Sequence, residues 1–261
     1  MKFCSLCSGS TGNSLFVQSD ETKMLIDAGV SAKKITDALL TMDIDIKEIN
    51  GIIVTHEHID HIRSIGTIAN KYNIPIYATL GTWNGIENEK NVSKIENKNY
   101  FKIGEEFEIG DLKINSFSTS HDAMDSCGFS IENDNKKISV ATDLGEMTNE
   151  VFSSIKNSKF ILLESNYEPE VLKYCSYPYA LKTRIAGSRG HLSNEDAGKT
   201  ISKLMDFGLE KVLLGHLSKE SNFPELARKT VVNELMSNGI KEKDIDLGVA
   251  SRIEPSKVIN I

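Results

Sequence analysis

The stretch THEHIDH, residues 55–61, decides how the rest of the chain is read. It places three of the six histidines and an aspartate within one short run. The apolar run GIIV before it reads as a short buried strand, and after it Ile65, Ile68, Ala69 and Tyr72 recur at helical spacing. A loop between such a strand and such a helix presents His56, His58, Asp60 and His61 as one cluster at the carboxyl end of the strand. Neutral imidazoles with a carboxylate are ligands that suit zinc, iron or manganese. A merely solvated loop gives no reason for half of the histidines to gather there.

Outward from this cluster, single candidates stand at the exits of other apolar runs. His121 follows KINSFSTS, Asp143 ends KISVAT, and His216 ends KVLLG. A layered fold can bring such exits together along one edge. Ile35, Ala38, Leu39 and Met42 predict a helix, and so do Ala197, Ile201, Leu204 and Met205; another helix follows Pro224. KFCSL, SLFVQS, KMLI, NIPIYAT and KFILLE read as strands, with hairpins turning at Gly110-Asp111 and at residues 133–135. Residues beyond KFILLE read as irregular. Hairpins mixed with helices predict two sheets packed face to face with helices outside. DETKMLIDAG and DNKKISVATDLG echo each other, each a polar turn, a lysine, an apolar strand and a terminal Asp-x-Gly or Asp-Ala-Gly pattern.

At 261 residues the chain can bury one large core, and no segment has linker composition, so a single domain over residues 1–261 is expected. No apolar run is long enough for a membrane helix and the start carries no secretory pattern, so a cytoplasmic address is expected, with neither a membrane nor an obligate protein partner. Cys4 and Cys7 form a lone CxxC, and an alternating strand would put them on opposite faces, which reads as structural. A net charge of −7 argues against nonspecific wrapping of nucleic acid but leaves room for a local basic groove.

Such a groove is suggested by YEPEVLKYCSYPYALKTRIAGSRGH, which holds four of the seven tyrosines followed by Lys182, Arg184 and Arg189. Rings stack on bases while cations meet phosphates; equally, a tyrosine-rich loop can pack on the core with its cations solvated. SGSTGN, with Ser8, Ser10 and Asn13, can offer backbone amides to a phosphate or simply form a hairpin turn. SNED reads as a helix start capped by Ser193, which leaves His191 in the preceding SRGH unexplained.

The HxHxDH motif with later single His, Asp and His resembles the metallo-β-lactamase fold hydrolases over essentially the whole chain. The resemblance implies a four-layer αββα sandwich of α/β (α+β) class with two divalent ions, zinc, manganese or iron, along one edge. His56, His58 and His121 would hold one ion, Asp60, His61 and His216 the other, with Asp143 bridging and Asp27 bracing the ligand loop. The interval from Asp143 to His216 is too short for the large insertion of the β-CASP nucleases, and no flavin domain follows. SGSTGNS, LIDAGVSAKKI, VTHEHIDHI, LLESNYE, YPYALKTRI, SRGHLSNEDA and LGHLSKESNFPELA are similar to the YycJ/WalJ branch. That branch implies a phosphodiesterase acting as an exonuclease on DNA rather than RNA, with Ser8, Ser10, Asn13, Lys182, Arg184 and Arg189 toward the substrate. In related tRNA-processing nucleases a histidine opening the corresponding helix is paired with an acid, which implies a catalytic role for His191 with Glu164 alongside Asp60. The alternatives are a hydrolase of thioesters, lactones or cyclic phosphodiesters, or a metal-stabilised binding protein with little turnover.

Overall fold

Side-chain alternation sorts the apolar residues into three layers. In a computed structural model describing residues 1–261, the first sheet contains Lys2–Cys7 (β1), Ser14–Gln18 (β2), Lys23–Ile26 (β3), Gly51–Ile53 (β4), Ile76–Ala78 (β5) and Lys98–Tyr100 (β6). The second contains Glu106–Ile109 (β7), Leu112–Ser118 (β8), Cys127–Asn133 (β9), Lys136–Ala141 (β10), Phe160–Glu164 (β11), Lys211–Gly215 (β12) and Asp246–Val249 (β13). Ile259–Asn260 (β14) returns to pair with β1. The helices are Ala32–Leu40 (α1), Ile59–Ile62 (α2), Ile65–Tyr72 (α3), Leu80–Asn88 (α4), Asn149–Ile155 (α5), Pro169–Tyr174 (α6), Tyr179–Ile185 (α7), Asn194–Met205 (α8) and Pro224–Ser237 (α9).

Leu15, Val17, Met24, Ile26 and Ile53 of the first sheet meet Ile138, Val140, Phe160 and Leu162 of the second in a core between the sheets. Their neighbours Phe16, Leu25 and Ile52 face the other way, against Ile35 and Leu39 of α1, Ile65 and Ile68 of α3 and Trp83 of α4. Ile161 and Leu163 likewise meet Val151 of α5, Ile201 of α8 and Val231 of α9. The result is an αββα sandwich. Period-two alternation dictates it, because each central strand has apolar side chains on both faces and must be covered on both.

The two sheets repeat one pattern. In the first, β1, β2 and β3 pair antiparallel, and β3, β4, β5 and β6 pair parallel; in the second, β8, β9 and β10 are antiparallel and β10 to β13 parallel. The sequence echo falls on equivalent strands, β3 and β10, each followed within two residues by an aspartate, Asp27 and Asp143.

Two expectations need correction. Cys4 and Cys7 lie in the same outer core, because the β1–β2 register shifts between Ser5 and Cys7 and restores their parity. The stretch read as irregular contains α6 and α7, whose Leu172 and Ile185 form a small apolar cluster with Tyr167, which precedes them. Ser193 caps α8 as the sequence indicates, its hydroxyl accepting from the Asp196 amide. No helix is long and apolar enough to cross a membrane.

Candidate metal centre

The site lies where strands of both sheets run out. Asp27 follows β3, residues 56–61 follow β4 and enter α2, His121 follows β8, Asp143 follows β10, Glu164 ends β11 and His216 follows β12. Asp27, Asp143 and His216 turn at once out of their strands through left-handed backbone, with φ of 62°, 56° and 54°. The turn swings each side chain out of the strand direction and toward the shared cluster at the strand ends.

The candidate ligand atoms form four overlapping groups, His56 with His58 and His121, Asp60 with His61 and His216, His56 with His61 and Asp143, and Asp143 with Glu164, His191 and His216; within each group they lie within 4.8 Å of one another. His58 Nδ1 stands 3.1 Å from His56 Nε2 and 3.3 Å from His121 Nε2. Asp60 Oδ2 is 3.6 Å from His61 Nε2 and 3.8 Å from His216 Nε2. Asp143 sits between the groups: one oxygen is 3.4 Å from His61 Nε2, and the other is 3.4 Å from His216 Nε2 and 3.9 Å from His121 Nε2. Asp143 Oδ2 and His216 Nε2 are buried without any hydrogen-bond partner. Orphaned buried acceptors are rare and costly, and a cation between them supplies the missing partner, so these residues fit a divalent ion.

A surrounding layer of acceptors points the imidazoles. Asp27 accepts from the Thr55 amide at 2.9 Å, from its hydroxyl at 2.8 Å and from His61 Nδ1 at 2.7 Å, leaving His61 Nε2 aimed at Asp60 and Asp143. His121 Nδ1 donates to the Gly190 carbonyl at 3.1 Å. Glu164 has two imidazole partners, His216 Nδ1 at 2.7 Å and His191 Nδ1 at 2.8 Å, and its other oxygen accepts from the Leu144 and Leu192 amides. Such partners set the tautomer and raise the basicity of the ligand. Replacing Asp27 by alanine is expected to weaken metal binding by about 10–100-fold, read by competition with a chelating dye, while the fold survives.

Charges within the cluster compensate one another. Burial, with the neighbouring His61, pushes His56 well below its ordinary value, so its lone pair is free. Burial opposes a charge on His61 too, but Asp143, Asp27 and Asp60 outweigh it and raise His61 to about 9. His216 is raised against the same opposition by Asp143, Asp60 and Glu164. Burial opposes ionisation of Glu164, yet His191 and His216 hold its carboxyl well below the usual carboxylate range. A divalent cation replaces protons in this balance, as metal binding at imidazole sites does.

His191 belongs only to the group with Asp143, Glu164 and His216, where its Nδ1 is engaged by Glu164; its ring is 5.2 Å from those of His121 and His216. Its side chain is 19% exposed. It opens onto a cavity of 150 Å³ walled by Ser10, Asp122, Tyr177, Leu181 and Arg184.

The residues assigned to substrate from sequence are placed less simply. Ser10 faces that cavity. Ser8 and Asn13 turn inward instead: the Ser8 hydroxyl accepts from the His216 amide at 2.9 Å, and the Asn13 carboxamide accepts from the Gly9 amide while its nitrogen lies 3.0 Å from His61 Nε2. Arg184 is paired with Asp122, Lys182 donates to the Lys173 carbonyl, and Arg189 donates twice to the His121 carbonyl. Tyr174 and Tyr179 are exposed, whereas Tyr167 is buried. Sequence reasoning missed Thr55, whose hydroxyl also approaches His56 Nδ1 and His61 Nδ1, although its place directly before His56 was a usable signal. It also missed Gly29, where a Cβ would fall 1.6 Å from the Asp60 carbonyl; only glycine lets the ligand loop close on that strand exit.

A model of the beta-lactamase superfamily domain matches residues 22–217. The chain belongs to the metallo-β-lactamase superfamily. It is 37% identical over 254 residues to the exodeoxyribonuclease WalJ of Streptococcus pneumoniae serotype 2 (strain D39 / NCTC 7466), covering 97% of this chain and 93% of the relative. It is equally 37% identical to the exodeoxyribonuclease YycJ of Bacillus anthracis, covering 97% and 94%. The metallo-β-lactamase fold protein YhfI from Bacillus subtilis superposes with a TM-score of 0.72 over 98% of both chains at 16% identity, a likeness of fold alone. Within the metallo-β-lactamase superfamily, the near full-length identity places the chain in the WalJ/YycJ branch.

Proposed function

We propose that this protein is a metal-dependent exodeoxyribonuclease, residues 1–261 working as one domain in the cytoplasm. The observation that carries the reading is Asp143, which stands within 3.4 Å of ligand nitrogens on two different strand exits, in a chain so similar to two exodeoxyribonucleases. His56, His58 and His121 would hold one divalent ion, and Asp60, His61 and His216 a second, with Asp143 shared; zinc, manganese and iron all suit this set. When bound, such a pair supplies a nucleophile at neutral pH and neutralises charge on the phosphate oxygens.

The chain's own residues do the rest. Glu164 holds His216 and His191 through one oxygen, so the metal ligand and the open-side imidazole keep a fixed relation. His191, which lines the cavity beside the cluster, donates a proton to the leaving oxygen of the scissile phosphodiester. The cavity beside α7 receives the terminal base at the strand end, with Tyr177 and Leu181 against it. To meet a phosphate, Arg184 exchanges its Asp122 partner for a phosphate oxygen; Arg189 instead keeps the His121 loop in place.

The test is metal-reconstituted protein against 5′- and 3′-labelled single- and double-stranded DNA and RNA. The expected result is stepwise release of nucleotides from DNA ends, abolished by chelation. Turnover of a chromogenic ester with DNA left intact would instead establish a small-molecule hydrolase.

A further inference from the structure

The cations expected to meet DNA are largely engaged within the protein: Arg184 with Asp122, Lys182 with a carbonyl, Arg189 with another. In a chain of net charge −7, a phosphate backbone has to be met by local cations. Six buried side-chain atoms lack a hydrogen-bond partner, and one belongs to a cation, Arg252 Nη1. Leaving a buried donor unsatisfied is costly, and an incoming acceptor oxygen would supply the missing partner.

Arg252 lies beside the metal centre although it is far from it in sequence. The Ser251 carbonyl accepts the Ser8 amide at 3.1 Å, and the Arg252 carbonyl accepts the Cys7 thiol. The arginine's stem crosses Gly9 so closely that a Cβ there would fall 2.6 Å from Arg252 Cγ and 3.4 Å from the Leu217 carbonyl. Ser8, one residue before Gly9, holds the His216 backbone; Ser10, one residue after, lines the cavity that contains His191. The turn between them closes through the Gly12 amide on the Gly9 carbonyl, and the amides of Ser10 and Thr11 donate to no acceptor in the protein. Ser10 of the turn lines the cavity, Tyr177 and Arg184 line it from α7 and its approach, and the arginine's stem lies against the neighbouring Gly9. The turn at Gly9–Gly12 and Arg252 lie outside residues 22–217, the part matched by the superfamily model.

We infer that Arg252, together with the amides of Ser10 and Thr11, binds a backbone phosphate of the DNA strand as it enters the site. The inference rests on the nuclease reading. Rotation about the terminal torsions brings Nη1 out to a phosphate oxygen, where it gains the partner it lacks.

The experiment measures binding of the metal-loaded protein to a fully phosphorothioate-linked single-stranded oligonucleotide, by fluorescence anisotropy over a range of salt concentrations. Arg252→Gln is expected to raise Kd about tenfold and to make the slope of log K against log salt shallower by about 0.7, one phosphate contact on a single strand. Arg252→Lys keeps the slope and loses part of the affinity, since an ammonium lacks the guanidinium fork. Lys257→Gln, the same charge change in the same terminal segment, leaves both unchanged. If Arg252→Gln raises Kd with the slope intact, the arginine only braces Gly9 and the inference is overturned. Equal binding by wild type and Arg252→Gln, with DNA still cleaved by wild type, overturns it while leaving the nuclease reading standing. No salt-dependent DNA binding by wild type removes both.

Discussion

Asp143→Ala is expected to lower kcat/KM for DNA by about three orders of magnitude or more and to reduce the metal content of the purified protein. The size follows from position. Asp143 is the one carboxylate within 4 Å of His61, His121 and His216 together, so its loss disturbs both groups of ligands at once. It is buried, and its ionisation is opposed by burial but favoured by His216 and His61, so it enters the site already charged. Metal analysis and nucleotide release on the same preparation check the result. Full metal content with full activity would sink the assignment of Asp143 as a shared ligand.

His191→Ala should behave differently. The variant keeps its metal, because the three candidate groups without His191 stay complete, and loses about 10²–10⁴ in kcat on DNA, the range of general acid catalysis. The loss shrinks sharply on a phosphodiester with a p-nitrophenolate leaving group, which departs without a proton. That contrast separates a proton donor from a phosphate-binding imidazole, which would be missed equally on both substrates. Glu164→Gln tests less cleanly, because the carboxylate also holds His216.

Why the metal residues were legible in the sequence and other features were not has a physical basis. Each of His56, His121, Asp143 and His216 follows a strand whose apolar run is visible by itself, and strands of two face-packed sheets end at a shared edge. The His191–Glu164 contact joins residues 27 apart and was reached through likeness to related nucleases, not through spacing. α6 and α7 are six and seven residues long, too short for helical periodicity to stand out among prolines and tyrosines. Ser8 and Asn13 sit in a glycine-rich turn that serves a hairpin or a phosphate equally well; only contacts with His216 and His61 show that they face inward. Arg252 had no local signal, since its place depends on the last strand closing back onto the first. The parity of Cys4 and Cys7 turned on a single register shift.

The left-handed turns at Asp27, Asp143 and His216 have a consequence for how such a protein evolves. A side chain in that conformation costs roughly 1 kcal/mol that glycine would not, and the chain carries the cost three times on one edge. Selection for thermal robustness alone would fill all three positions with glycine, at the loss of every side chain that reaches the cluster from them. The edge therefore records a trade of stability for chemistry that can be read from backbone angles before any side chain is considered.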